Sequence, residues 1–214
     1  MGHFGQFDIT EFIIKMAVLV LAITIHEFAH AITADRLGDP TPRSQGRISL
    51  LPPDHLDPVG TLMMVLSSIA GVGIGWGKPV MVNPRNFRNP IRDQAIVSAA
   101  GPASNILQAA AFAAIIRYTG ALSPASSLEM LLQMGVMINL SLAFFNLIPL
   151  MPLDGSWILM AVLPRDLAAR YHDWMVAYGA LVFLGLVLLA PQVIWSLIGP
   201  PVAFMAQLLL GALW

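Results

Sequence analysis

His26-Glu27-Phe28-Ala29-His30 is an HExxH pattern set inside an apolar run that extends from about Phe12 to Leu37. On a helix, side chains four residues apart share one face, so the two imidazoles can hold a single metal ion. Glu27 then sits beside the metal, free to act on a bound water. A soluble zinc hydrolase would carry this helix in a polar cleft, but here the flanks are Ile14 to Ile25 and Ala31 to Ala34. Such a run is long enough to cross a bilayer. Ionisable groups within a span are costly and by default mark a working site. The placement therefore points to a helical membrane protein built around a metal centre.

The composition agrees. The 214 residues are 57% hydrophobic and 11% charged, with mean hydropathy +0.74, where an average soluble domain is roughly 25% charged. Such a chain holds about six spans of ~20 residues joined by short loops. A net charge of −1 gives no footprint for nucleic acid. The absence of cysteine excludes disulfides, thiolate metal sites and cysteine nucleophiles. Met1 to Asp8 lacks a basic n-region and a small-residue cleavage site, so the first run reads as a permanent span. A single membrane-embedded domain over residues 1–214 is expected.

Working outward, Gly38-Asp39-Pro40 closes the first span. Pro40 to Asp57 is polar and proline-rich, with an extended candidate at Arg47 to Leu51. Val59 to Ile74 is apolar but short and glycine-studded, and Trp76 to Arg92 is a basic loop. Apolar segments follow at about Ala95 to Ile116, Leu128 to Ile148, Trp174 to Ala190 and Val193 to Leu213. The predicted fold is an all-α polytopic bundle. It has a three-span core (12–37, 95–116, 128–148), a small extended element, a re-entrant segment and a C-terminal helical hairpin (174–213) broken at Pro191.

A second motif is Asn146-Leu147-Ile148-Pro149-Leu150-Met151-Pro152-Leu153-Asp154-Gly155. Its two prolines end a helix at membrane depth, where non-helical chain is tolerated only when protein or a cavity surrounds it. Asp154 is the carboxylate placed there. A catalytic zinc takes three protein ligands, and Asp154 completes the set with His26 and His30.

HExxH in a first span with a distal NxxPxPxLDG pattern resembles the site-2 proteases, the intramembrane zinc metalloproteases. The likeness covers most of the chain. It includes Gly46-Arg47-Ile48-Ser49-Leu50, His55 to Thr61, Gly75-Trp76-Gly77-Lys78-Pro79-Val80, Val82 to Phe87, and Ala100-Gly101-Pro102-Ala103-Ser104-Asn105. These look like the minimal bacterial members, without a PDZ or CBS domain. One departure is visible: Met151 stands where the pattern has its second proline, and Pro152 follows. The resemblance implies one Zn²⁺ per chain and a bacterial plasma-membrane location. It also implies a transmembrane-helix protein as substrate, with Asn105 and Asn146 helping to hold substrate or catalytic geometry.

Depth fixes an expected topology. His30 lies about seven residues, or ~10 Å, before the end of its span at 1.5 Å per residue, and Asp154 follows the end of another. Both spans must run the same way, with an odd number of crossings between them. Ala95 to Ile116 supplies one, so Val59 to Ile74 is expected to be re-entrant. Arg36, Arg43 and Arg47 precede that segment, and Lys78, Arg85, Arg88 and Arg92 follow it, which places both flanks in the cytoplasm. The site then lies in the cytoplasmic half of the bilayer, with the N-terminus outside.

In this reading Glu27 is the general base and later delivers its proton to the leaving amine. A substrate helix must unwind before its amides are accessible, and the edge of Arg47 to Leu51 is expected to pair with it. Two rivals differ in class: a zinc-binding membrane transporter and a non-catalytic scaffold that retains substrate helices. Transport favours polar residues spread along several spans, whereas this chain concentrates ionisable groups at one site. The bland readings are a turn cap for Asp154, a helix-packing amide for Asn105, and loop positions near the membrane surface for His55 and Asp57.

Overall fold

The computed structural model describes residues 8–69, 75–119 and 126–211. The first span is helix α1 (Ile9–Arg36), started by Asp8, whose carboxylate accepts the N–H groups of Thr10 and Glu11. Single helical turns α2 (Thr41–Ser44) and α3 (Pro52–His55) follow, then α4 (Pro58–Ile69). A 3₁₀ turn at Pro84–Asn86 leads into α5 (Pro90–Thr119), and α6 is Ser127–Asn146. The chain ends with α7 (Gly155–Val162), α8 (Arg165–Trp174), α9 (Ala180–Leu189) and α10 (Pro191–Leu210). A π-helical turn, Met175–Gly179, joins α8 to α9.

Among the described residues, five helical stretches are long and apolar enough to span a membrane: Ile9–Arg36, Pro90–Thr119, Ser127–Asn146, Arg165–Leu189 and Pro191–Leu210. The chain is thus an all-α polytopic membrane protein, as its composition implies. Helix α4 has 12 residues, about 18 Å against a hydrocarbon core of about 30 Å. Those described residues fall short of that thickness; residues 70–74 of the segment expected to be re-entrant lie outside the described ones.

Helix α5 is central, packed against α1 and α6, while α6 also meets α1 and α10. Small side chains permit the close approach: Ala109 and Ala113 of α5 pack with Val136 and Leu140 of α6 and with Val202 and Ala206 of α10. Lipid is as apolar as leucine, so such contacts hold by dispersion and by hydrogen bonds across helices, not by expelling water. The outer faces carry exposed apolar residues such as Leu181, Leu184 and Leu188.

Three details depart from the expected elements. Helix α5 starts at Pro90, five residues before the apolar run. Proline costs nothing at a first helical position, and the Asp93 carboxylate accepts the Asn89 N–H. The C-terminal hairpin starts at Arg165, because the polar α8 continues into α9 and its composition hides it from a hydropathy reading. Arg47 to Leu51 forms no ladder. Its backbone groups are used locally: the Ser49 carbonyl accepts from His55 Nε2 at 2.6 Å, and the Leu51 N–H donates to Ser49 Oγ. The one β-bridge among the described residues is the antiparallel pair Leu56 and Gly77. His55 is fully buried, not a surface loop residue, and Asp57 accepts the Gly60 N–H at the start of α4.

The loops at this end are tied to α1 by Asp39. Its buried carboxylate accepts the Thr41 N–H and hydroxyl, the Asn83 N–H and the Asn86 amide. Burial pushes the Asp39 carboxyl up, but these four hydrogen bonds win and hold it below the usual carboxylate range.

Candidate metal centre

Helix α1 sets His26 and His30 on one buried face, with their Nε2 atoms 2.9 Å apart. Asp154 Oδ2 lies 3.3 Å from His26 Nε2 and 3.4 Å from His30 Nε2. The carboxylate reaches this point because α6 stops at Asn146 and the turn containing Pro149 and Pro152 sends the chain back. The Met151–Pro152 peptide is cis. Gly155 then passes so close to α6 that a Cβ there would lie 2.2 Å from the Leu147 carbonyl oxygen. Asp154 makes no side-chain cap to α7; its carboxylate turns to the imidazoles instead.

The ring orientations follow from the outer contacts. Asn105 Nδ2 faces the Ala22 carbonyl and Asn139 Oδ1, so Asn105 presents Oδ1 to His26 Nδ1 at 2.6 Å. Asn139 is itself oriented by donating to the Gly135 carbonyl at 2.9 Å. An acceptor at Nδ1 requires His26 to donate from that nitrogen. His30 Nδ1 likewise donates, to the Val97 carbonyl at 2.7 Å. With Nδ1 so engaged, each ring turns its Nε2 toward one point, joined there by Asp154 Oδ2, a buried atom with no hydrogen-bond partner. Three ligand atoms converging on one buried point can hold a cation.

The donor set fits zinc. The three ligand atoms lie within 4.8 Å of one another, and their separations of 2.9, 3.3 and 3.4 Å suit a tetrahedral ion. Bonds of about 2.0–2.1 Å around such an ion put ligand atoms about 3.3 Å apart. Two imidazoles and one carboxylate leave the fourth position open, the pattern of catalytic and not structural zinc. Helix α5 supplies no ligand but shapes the site. A Cβ on Gly101 would lie 2.4 Å from His30 Nε2 and 2.6 Å from His26 Cε1.

Glu27 points to the neighbouring loop, its Oε2 accepting the Val80 N–H at 3.1 Å. Arg47, only 2% exposed, brings Nη2 within 3.6 Å of the same oxygen. Of the two asparagines implied by resemblance, Asn105 bonds to His26. Asn146 donates to the Leu142 carbonyl of its own helix and makes no hydrogen bond to the three ligand atoms. Two further residues escaped the reading from sequence. Asn139 is detectable only as a polar side chain inside an apolar span, and Arg47 reads there as one of several topology-setting charges.

Comparison with known proteins places these features in a family. The model of Peptidase family M50 matches residues 115–186, the stretch that includes Asn139, Asn146 and Asp154. The chain is 32% identical over 206 residues to "Putative zinc metalloprotease YwhC" of Bacillus subtilis (strain 168), covering 92% of this chain and 91% of that protein. It is 34% identical over 98 residues to "Putative zinc metalloprotease Rip2" of Mycolicibacterium smegmatis, covering 46% of this chain and 38% of that protein. No solved structure matches.

Proposed function

The chain belongs to Peptidase family M50, and on that premise we propose which residues carry the chemistry of a zinc-dependent intramembrane protease. His26, His30 and Asp154 are the zinc ligands, and Glu27 is the general base. Zinc, when bound, supplies the Lewis acid that polarises a scissile carbonyl and makes water a nucleophile at neutral pH. Glu27 takes the proton of that water and passes it to the leaving amine. The observation that carries this reading is the convergence of the His26, His30 and Asp154 ligand atoms beside Glu27, a carboxylate on the same helix as the two imidazoles that is held by the Val80 N–H and Arg47.

Asn105 holds His26 in the tautomer that leaves Nε2 free, a role outside the ligand sphere that raises ligand basicity. Asn146, at the end of α6, is assigned to substrate support. The single unit spans 1–214, and its substrate is a transmembrane helix that unwinds locally to expose its amides. The site lies in the cytoplasmic half of a bacterial plasma membrane, on the evidence of the basic residues flanking α4.

The test compares wild type with Glu27→Gln at matched zinc content, using mass spectrometry to find cuts in single-span reporters. Cleavage within spans is expected from wild type, with a loss of at least about 100-fold in the variant. Equal cleavage by both would remove Glu27 from the mechanism. Zinc uptake into vesicles without cleavage would favour the transporter.

A further inference from the structure

We propose that Arg47 is a positioning residue for the proteolytic reaction: its guanidinium clamps the Trp76–Val80 loop so that the Val80 N–H holds Glu27 in one orientation. The inference rests on the reading of Glu27 as the base.

Four observations carry it. Gly46 adopts φ 69°, a left-handed conformation that turns the chain inward, and the Arg47 N–H closes the turn on the Pro42 carbonyl at 2.9 Å. The side chain that enters is almost fully enclosed. A buried guanidinium needs partners, and here Nη1 donates to the Pro79 carbonyl at 3.0 Å while Nη2 donates to the Lys78 carbonyl. The third partner is the Glu27 carboxylate at 3.6 Å, an opposite charge within the same enclosure. None of these contacts involves His26, His30 or Asp154.

The loop is thereby fixed from two sides. Its Lys78 N–H donates to the His55 carbonyl at 2.8 Å, beside the Leu56–Gly77 bridge. Its Lys78 and Pro79 carbonyls go to Arg47. The next N–H along, Val80, is the one that Glu27 accepts. Glu27 is a flexible side chain on a helix, and a single N–H from an unsupported loop would not hold it. Two consecutive carbonyls gripped by a rigid planar fork make that N–H a fixed point. Lysine, a point charge on a flexible stem, would not reproduce the grip. Misplacing a reacting group by about 1 Å costs on the order of 100-fold in rate.

The experiment uses the full chain in detergent or vesicles, with zinc quantified for every variant and kcat and KM determined separately on one cleaved reporter. Arg47→Met and Arg47→Lys are expected to keep wild-type zinc content and to lose kcat by roughly 10–100-fold while KM changes little. Arg47→Ala is expected to regain activity with methylguanidinium, which refills the fork. The same addition should do nothing for Arg47→Ala combined with Glu27→Gln. Wild-type kcat in Arg47→Met, or activity of Arg47→Ala that methylguanidinium does not restore, overturns the proposal. Survival of cleavage in Glu27→Gln alone is the distinct outcome that would instead overturn the assignment of the base.

Discussion

Gly101 has no functional group, yet it decides how closely α5 approaches both imidazoles. Its substitution by alanine would put a methyl within 2.4 Å of His30 Nε2, inside the volume that the ligand atoms share. Gly101→Ala is therefore expected to lower zinc affinity by about 10–100-fold, the range for disturbing what orients a metal ligand. Zinc retention during graded chelation reads this directly, and wild-type retention would refute it. The contrast between Gly101 and His26 also explains what was legible at this scale. Metal chemistry admits few residue types, so His26, His30 and Asp154 could be picked out by identity and by the prolines before Asp154. Val97 contributes a backbone carbonyl, which no residue identity reveals. Asn139 acts through Asn105 from another helix, and no spacing along the chain encodes that contact. Arg47 resembles its neighbours Arg36 and Arg43 until the Lys78 and Pro79 carbonyls are brought to it.

The joint between α1 and the loops rests on Asp39, so it titrates. A carboxyl held below its unfolded value stabilises the fold above that value, near 3.9, and loses the effect as pH falls through the folded one. Thermal melts of wild type and Asp39→Ala should accordingly differ most near neutral pH and converge at strongly acidic pH. At neutral pH the loss is expected to be about 1–3 kcal/mol, the cost of leaving the Asn83 and Thr41 donors without their acceptor. A gap that widened on acidification would show the sign to be wrong. Elements were legible where one property dominated. Apolar runs located α1, α5, α6 and α10 to within a few residues, and the Ala190–Pro191 break fell at the start of α10. The polar α8 carried no hydropathy signal. The extended reading of Arg47 to Leu51 missed that Ser49 uses its own carbonyl and hydroxyl for local bonds.

For the whole molecule, the proposed ligands at the ends of α1 and α6 require those helices to run in parallel, with α5 returning between them. Helix α4 must then leave and re-enter on one side. Single cysteines at Leu51 and Trp76 are expected to react with a membrane-impermeant label from the cytoplasmic face, and one at Gly2 from the opposite face. Labelling of Leu51 and Trp76 from different faces would make α4 a crossing and break the parity. The order in which the centre is assembled has a further consequence. Translation delivers His26, Glu27 and His30 with the first span, but Asp154 exists only after α5 and α6 have been made. A ribosome midway through this chain has therefore inserted two imidazoles and a carboxylate that cannot yet cut anything. On the proposed ligand set, the centre stays one ligand short until the turn that follows α6 has been made and the bundle has closed.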